Sequence, residues 1–443
     1  MSKKNNLNRR RFLQTSGAIA VSAGILSNVS FPAPAFAKVR NPNGKLSVGL
    51  VGIASRGEAQ VHGLGGENVV GLCDIDDNYL SQVGEKFPDA KKYNDYRIMY
   101  DELGDKIDAV AVSTTDHIHA PASVNAMRRG LHCYCEKPLA HTVQEVRVMT
   151  DLAKEKKLFT QMGTQIHAEP NYRRVVELVK SGAIGKVKEV HVWCGTGWGG
   201  HSMPTEFPEV PKNIHWDLWL GPVPFRKYSP KYFGGNWRSY WAFGSGSLGD
   251  MGCHHIDLSY WALDLKYPTS VVSTASSKPD PECTPLDMVA KYEFPARGDQ
   301  PPVTLTWYDG KERPPIIAEK GLPNDWGAGT LFVGEDGKMI MADYGRHLLL
   351  PENKFGDFKR PEKTIPDSIG HYEEWIQAIK TGEKPALCDF SYSGPIAEMV
   401  LLGTVSYRLG KKINWDAANL KAVGDPDADK FLKKEYPKDW SIF

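Results

Sequence analysis

The residues best suited to chemistry in this sequence fall in two short runs. The first is Glu136-Lys137-Pro138. A lysine at the end of a strand, followed by a proline that fixes the turn, is placed to donate to a substrate oxygen. The second run is Gly249-Asp250-Met251-Gly252-Cys253-His254-His255-Ile256-Asp257. On a helix Asp250 and His254, four positions apart, share a face, which suits a histidine proton shuttle with a carboxylate beside it. Asp257, three beyond His254, is expected to orient that imidazole. Two other uses of the same residues are a helix cap by Asp250 and a metal-ligand set of carboxylate and two histidines. Adjacent histidines point in different directions on a helix, so no metal site is assigned.

A third run sits where a strand turns into a helix: Gly49-Leu50-Val51-Gly52-Ile53-Ala54-Ser55-Arg56-Gly57. Read as a dinucleotide fingerprint, Gly52 is its first glycine and Gly57 its third, with Ala54 at the second position. The alanine methyl reduces clearance for a pyrophosphate. Asp74 follows the next strand, 22 residues after Gly52. An acidic side chain there accepts ribose hydroxyls and repels a 2′-phosphate, which favours NAD over NADP. Arg56 works the other way, because a guanidinium can hold a phosphate. Further on, Ser113, Thr114, His117 and His119 follow a strand at the carboxyl edge of the sheet and are expected to face cofactor or substrate.

Those residues need a scaffold, and the apolar runs supply one. Strands are expected at 46–51, 68–73, 109–113 and 131–135. A helix over 143–157 leads to a last strand at 159–162, so the first domain ends near residue 160. Beyond it come a helix over 171–181, strands at 188–193, 269–275, 288–294 and 303–308, a hairpin at 330–338, and closing helices near 370–381 and 396–409. The expected fold class is α/β: an N-terminal Rossmann domain plus a C-terminal α+β domain with a large, mostly antiparallel sheet. Between the two sites lies a Gly-, Pro- and aromatic-rich stretch holding Trp198, Trp216, Trp219, Trp237 and Trp241. Aromatic faces stack on sugar rings, and tryptophan is also a core residue. Trp237-Arg238 is expected nearest the site, with Asn236 and His201 able to bond hydroxyls.

Composition narrows the function classes. The chain of 443 residues is 41% hydrophobic and 24% charged, with a net charge of +1. That gives no electrostatic case for nucleic acid or an acidic membrane surface. Arg9-Arg10-Arg11-Phe12-Leu13, an interrupted apolar run and Ala35-Phe36-Ala37 together read as a twin-arginine export signal over 1–37. The expected division is thus 1–37 signal, 38–160 NAD-binding domain and 161–443 substrate and oligomerisation domain, in a periplasmic or otherwise extracytoplasmic protein without stable membrane insertion. Seven scattered cysteines do not make a disulfide framework, and buried thiols are expected.

The Gly52/Gly57 turn, Asp74, Glu136-Lys137-Pro138 and Asp250-x-Gly252-x-His254-x-x-Asp257 together resemble the glucose–fructose oxidoreductase/inositol dehydrogenase (Gfo/Idh/MocA) family. Gly163-Thr164-Gln165, Ser181-Gly182-Ala183-Ile184-Gly185 and Ile413-Asn414-Trp415-Asp416 extend the likeness along the chain. The resemblance implies a nicotinamide cofactor, sugar, inositol or sugar-derivative substrates, and a dimer or tetramer. It makes Lys137 the catalytic lysine, His254 the acid/base and Asp250 its partner. Glu136, Lys137 and Gln165 are counted with the cofactor side, and Trp237, Arg238 and His255 with the substrate side. The expected function is an NAD-dependent oxidoreductase acting on a sugar, glycoside or polyol hydroxyl, with retained and internally recycled cofactor. The alternative is a glycosidase working by transient oxidation, elimination and re-reduction. A third is a non-catalytic sugar sensor.

Overall fold

The computed structural model describes residues 44–443, so the export signal expected at 1–37 lies outside the described residues. β1 (Ser47–Val51), β2 (Asn68–Cys73), β3 (Lys91–Tyr93), β4 (Ala109–Val112), β5 (His132–Cys135) and β6 (Thr160–Met162) form one parallel sheet in the order β3-β2-β1-β4-β5-β6. β4 and β5 are buried at every position, as strands covered on both faces must be. The connecting helices are α1 (Gly57–Leu64), α2 (Asp77–Gly84), α3 (Tyr96–Leu103), α4 (Asp116–Arg128) and α5 (Val143–Lys156). Side chains start three of them: Asp76 accepts from the Asn78 amide, Asp95 from the Arg97 amide, and Thr142 forms a capping box with Glu145. Strand order reverses between β1 and β4, so a ligand crevice opens at their carboxyl ends.

The second sheet has nine strands, ordered β13-β12-β11-β7-β10-β9-β8-β14-β15. These are β7 (Glu189–Cys194), β8 (Ser270–Thr274), β9 (Val289–Phe294), β10 (Val303–Asp309), β11 (Ala328–Val333), β12 (Met339–Ala342), β13 (His347–Leu350), β14 (Ile413–Asp416) and β15 (Lys421–Ala422). Only the β7–β10 pair is parallel. Its helices are α6 (Pro170–Lys180), α7 (Trp216–Leu220), α8 (Gly246–Ala262), α9 (Pro315–Glu319), α10 (His371–Thr381), α11 (Phe390–Leu409) and α12 (Asp429–Leu432). α8 carries the Asp250–Asp257 run. It packs between β7, β11, α6 and α11, which fixes the direction of every side chain on it.

The packing does not stop where the first domain ends in sequence. Trp375 of α10 is fully buried against the first sheet's core, and its indole donates to the Phe159 carbonyl at 3.1 Å. The Met162 amide donates to the Cys388 carbonyl at 2.9 Å. Residues 371–390 therefore finish one cover of the N-terminal sheet. α11 starts at Phe390, six residues before its expected start, because Asp389 caps it and Pro395 is taken inside. All seven cysteines are buried and free.

Candidate active site

The crevice is built from three backbone segments that nearly touch. Gly52 follows β1 with φ 75°, and a Cβ on it would lie 2.5 Å from the Ser113 carbonyl oxygen after β4. A Cβ on Gly57 would run into the Gly52 carbonyl. Only glycines allow this crossing. Gln60 braces it, donating to the Gly52 carbonyl at 2.7 Å and accepting from the Ser113 hydroxyl at 2.9 Å. At the end of β2, the Asp74 carboxylate accepts from the Ile53 amide at 2.9 Å and the Asp76 amide at 3.1 Å. Burial pushes Asp74 up to about 6 despite those donors.

A cavity of about 330 Å³ opens above this crossing, lined by Gly52, Ala54, Ser55, Arg56, Asp74, Ser113, Thr114, Asp116, Glu136, Lys137, Trp237 and Arg238. The glycine crossing, a carboxylate at the end of β2 and the amino end of α1 fit a dinucleotide: backbone for the pyrophosphate, Asp74 for a ribose. Glu136 is buried and accepts from Arg56 Nε at 3.0 Å, Gln165 Nε2 at 2.8 Å and the Tyr134 hydroxyl at 3.2 Å. Arg56 is thus engaged by a carboxylate, which leaves less of its charge for a 2′-phosphate. The far wall comes from the C-terminal segment, where Trp440 lines the cavity with the Arg97 guanidinium 4.1 Å from its ring.

The chemistry concentrates where Lys137 meets α8. The buried Lys137 ammonium donates to Asp250 Oδ1. Arg238 Nε lies 2.9 Å from the same oxygen, and the Trp198 indole donates to Oδ2 at 2.6 Å. Burial opposes ionisation of Asp250, but Lys137 and Arg238 outweigh it and hold the carboxyl well below its usual range. Arg238 also stacks on Trp237, 4.1 Å from its centroid. Trp237 and Arg238 lie together on a short 3-10 helix, Asn236–Ser239.

Several expected site residues do other work. Asp250 is filled by Lys137, Trp198 and Arg238 and makes no hydrogen bond to His254, although the helix puts both on one side. Among the described residues His254 Nδ1 is buried without a partner, and burial, with Lys137 nearby, keeps the imidazole well below its ordinary value and so neutral. Asp257 does not orient His254: it pairs with His167 Nδ1 at 2.9 Å and accepts from the Tyr392 hydroxyl at 2.7 Å. His255 points at the sheet, stacked 4.7 Å from Tyr344 and bonded to its hydroxyl at 3.0 Å. It is therefore core, not a substrate contact. His117 and His119 lie beneath the crevice rather than in it. The His117 nitrogens face the carbonyls of Phe243 at 3.2 Å and Trp219 at 2.9 Å, and those of His119 face Pro138 at 2.7 Å and Thr114 at 3.1 Å. Each imidazole pins two loops together.

Two residues take roles at the site that the sequence did not assign to them. Trp198 comes from a glycine-rich loop with no periodicity to aim it. Asp116 opens α4 at the carboxyl end of β4, so the crevice rule pointed to its position. It is 2% exposed, lies beside the Ser245 hydroxyl, lines the cavity and has an Oδ1 with no partner at full hydrogen-bond geometry among the described residues. Burial pushes its carboxyl up to about 7, with Arg238 and Lys137 pulling the other way and Asp250 adding to the rise.

Two descriptions of one oxidoreductase family match this architecture. The NAD-binding Rossmann fold model covers residues 46–164 and the C-terminal alpha/beta domain model covers residues 169–293. Together they take in more than half of the chain, which belongs to the Gfo/Idh/MocA oxidoreductase family. The first domain is that family's NAD-binding domain. Among individual proteins, a glycosyl hydrolase family 109 protein of Shewanella pealeana is 31% identical over 208 residues, 41% of this chain and 44% of its own length. An inositol 2-dehydrogenase of Salmonella paratyphi B is 31% identical over 153 residues, 33% of this chain and 45% of its own. The chain thus spans less than half the length of the curated relatives it matches. The WlbA dehydrogenase of Bordetella pertussis, solved with NADH and UDP-GlcNAcA, shares the fold at a TM-score of 0.60, with 15% identity over 84% of this chain and 99% of its own.

Proposed function

We propose that this protein oxidises a hydroxyl of a sugar, glycoside or polyol, using NAD that stays bound and is reset in the same site. The observation that carries this reading is the buried Lys137–Asp250 pair at the cavity of an NAD-binding domain, flanked by Trp237 and Arg238. Bound NAD supplies the hydride acceptor. Lys137 donates to the substrate oxygen and stabilises the negative charge that grows as its proton leaves. Asp250 holds Lys137 in place and stays ionised. His254, neutral and with an Nδ1 that has no partner among the described residues, takes the proton. Trp237 offers a face for a sugar ring, and Arg238 a donor for its hydroxyls.

A second reading has one specific observation in its favour. Asp116 carries a proton to about 7 and so is a donor for a departing substituent. With it the site suits oxidation, elimination of a glycosidic group and re-reduction, in line with the name of the Shewanella relative. Export by a twin-arginine signal at 1–37, and self-association through the C-terminal domain, belong to the same proposal. A folded protein carries its cofactor out with it, which makes internal recycling the economical choice.

The test is to purify the mature protein, release and identify its bound nucleotide, and assay a panel of glycosides and polyols with no added cofactor. NAD on the protein and turnover without an external acceptor support the first reading. Deuterium uptake from solvent beside the oxidised carbon, with release of an aglycone, supports the second. A Lys137→Met variant should keep its nucleotide and lose about 10²–10³-fold in kcat. Absence of any bound or bindable nucleotide would sink both readings, and so would full activity in Lys137→Met.

A further inference from the structure

Behind the catalytic lysine loop lies a second cavity, of about 470 Å³, between α11, α12 and the segment leading into α8. His141, four residues after Lys137, and Ser245, five before Asp250, both line it. Its central group is Arg408 near the end of α11. The guanidinium sits 4.1 Å from the Phe431 ring and 4.9 Å from the Trp241 ring. Among the described residues it has no carboxylate within ion-pair distance. Burial pushes Arg408 down to about 10, with the charge of Glu282 working against that. Glu282 itself is spent on Arg226 at 2.8 Å. Lys434 is spent on Glu145 at 2.7 Å, and Lys433 on Asp429 at 3.0 Å. Lys430 and Glu435, also on the wall, make no ion pair among the described residues. A largely buried cation without an acceptor is costly, and such cations are normally paired.

Two further polar atoms in the same wall lack a full hydrogen bond. The His141 ring has Nε2 3.3 Å from the Gly244 carbonyl. Its Nδ1 is buried and has no partner among the described residues. Ser245, 3% exposed, has its hydroxyl beside the Asp116 carboxyl with no partner at full hydrogen-bond geometry among the described residues. The cavity therefore offers a guanidinium to an acidic group, and a ring nitrogen and a hydroxyl beside it to the hydroxyls of the same molecule.

We propose that this cavity binds a hydroxylated organic anion, a sugar acid or sugar phosphate, with its acidic group on Arg408 and its hydroxyls toward His141 and Ser245. The planar guanidinium, held between two rings, matches a carboxylate or phosphate through paired N–H bonds. Bare phosphate satisfies only half of the site.

Isothermal titration of the full chain tests this with glucuronate, glucose 6-phosphate, glucose and inorganic phosphate at fixed ionic strength. Saturable binding of glucuronate or glucose 6-phosphate, at least about tenfold tighter than glucose or inorganic phosphate, is expected. Whichever of the two wins tells carboxylate from phosphate. Arg408→Gln should weaken binding at least about tenfold. Arg408→Lys, which keeps the charge and loses the fork, should weaken it less, and Lys430→Gln on the exposed rim least. Nucleotide content should stay unchanged in all three. No saturable binding, binding untouched by Arg408→Gln, or inorganic phosphate as tight as the sugar phosphate would overturn the proposal. Binding abolished by Lys137→Met and kept by both Arg408 variants would move the ligand to the first cavity and overturn it too.

Discussion

Asp116 and Asp250 carry the same side chain into opposite electrical surroundings. Asp250 is surrounded by donors and stays ionised, whereas Asp116, beside the Ser245 hydroxyl, holds a proton up to about 7. Pairs of carboxyls pushed apart in this way mark acid and base assignments. The sign of the stability effect follows from linkage. A carboxyl raised in the folded state contributes stability that is whole below its unfolded value of 3.8 and is lost as pH rises through about 7. Asp116→Asn removes that loss. Its melting temperature should therefore gain on the unsubstituted protein between pH 5 and pH 8, with the difference largest at the alkaline end. Parallel melting curves for the two proteins would show that Asp116 is already ionised.

At the level of elements, the glycine crossing between β1, β4 and α1 sets the position of everything in the first cavity. Gly57→Ala puts a methyl group against the Gly52 carbonyl. The strain should cost about 1–3 kcal/mol and lower nucleotide affinity, read by calorimetry and by NADH titration. An unchanged affinity would mean that the crossing relaxes without disturbing the site. This crossing was legible in the sequence because a continuous apolar run, a glycine turn and an acid after the next strand are all local signals. β3 was not: its Lys-Lys-Tyr keeps only Tyr93 buried, so an edge strand leaves no pattern. The i, i+4 spacing on α8 correctly put Asp250 and His254 on a helix, yet a spacing names a face, not a partner. Asp250's partners Trp198 and Arg238 arrive from a loop and a 3-10 turn, where no periodicity exists. The histidines failed for the same reason. His117, His119 and His255 sit at or beside the expected positions, and only tertiary packing tells a ligand contact from a clamp.

For the whole molecule, buried groups of both kinds predict an optimum in stability. Asp74, Asp116 and Asp309 are raised by burial to about 6, 7 and 8, so their contributions fade as pH climbs from 3.8 through those values. His132, His255 and His371 are pushed by burial from 6.5 to about 4, 4 and 3. They contribute stability above 6.5 that is lost as pH falls. The opposed contributions nearly cancel below about pH 6, so melting temperature should reach a shallow maximum at about pH 6–7 and then fall towards pH 8 in a scanning-fluorimetry series. A curve still rising at pH 9 would contradict the burial of the three carboxyls.

The Trp440 wall of the first cavity has a consequence in time. β6 ends at Met162, but the crevice it belongs to is not enclosed until residue 440 has been made, with Arg97 stacked on the indole and Arg128 donating to the Ile442 carbonyl at 2.6 Å. At about 5–20 residues per second, the ribosome needs roughly 15–55 s to travel that distance. Through that interval a dinucleotide reaching the crevice meets it with the Trp440 wall missing. Loading behind the complete wall therefore waits for residue 440. If the twin-arginine segment directs export as proposed, the address is readable long before the parcel is closed, and transport of a loaded protein must wait for the Trp440 segment.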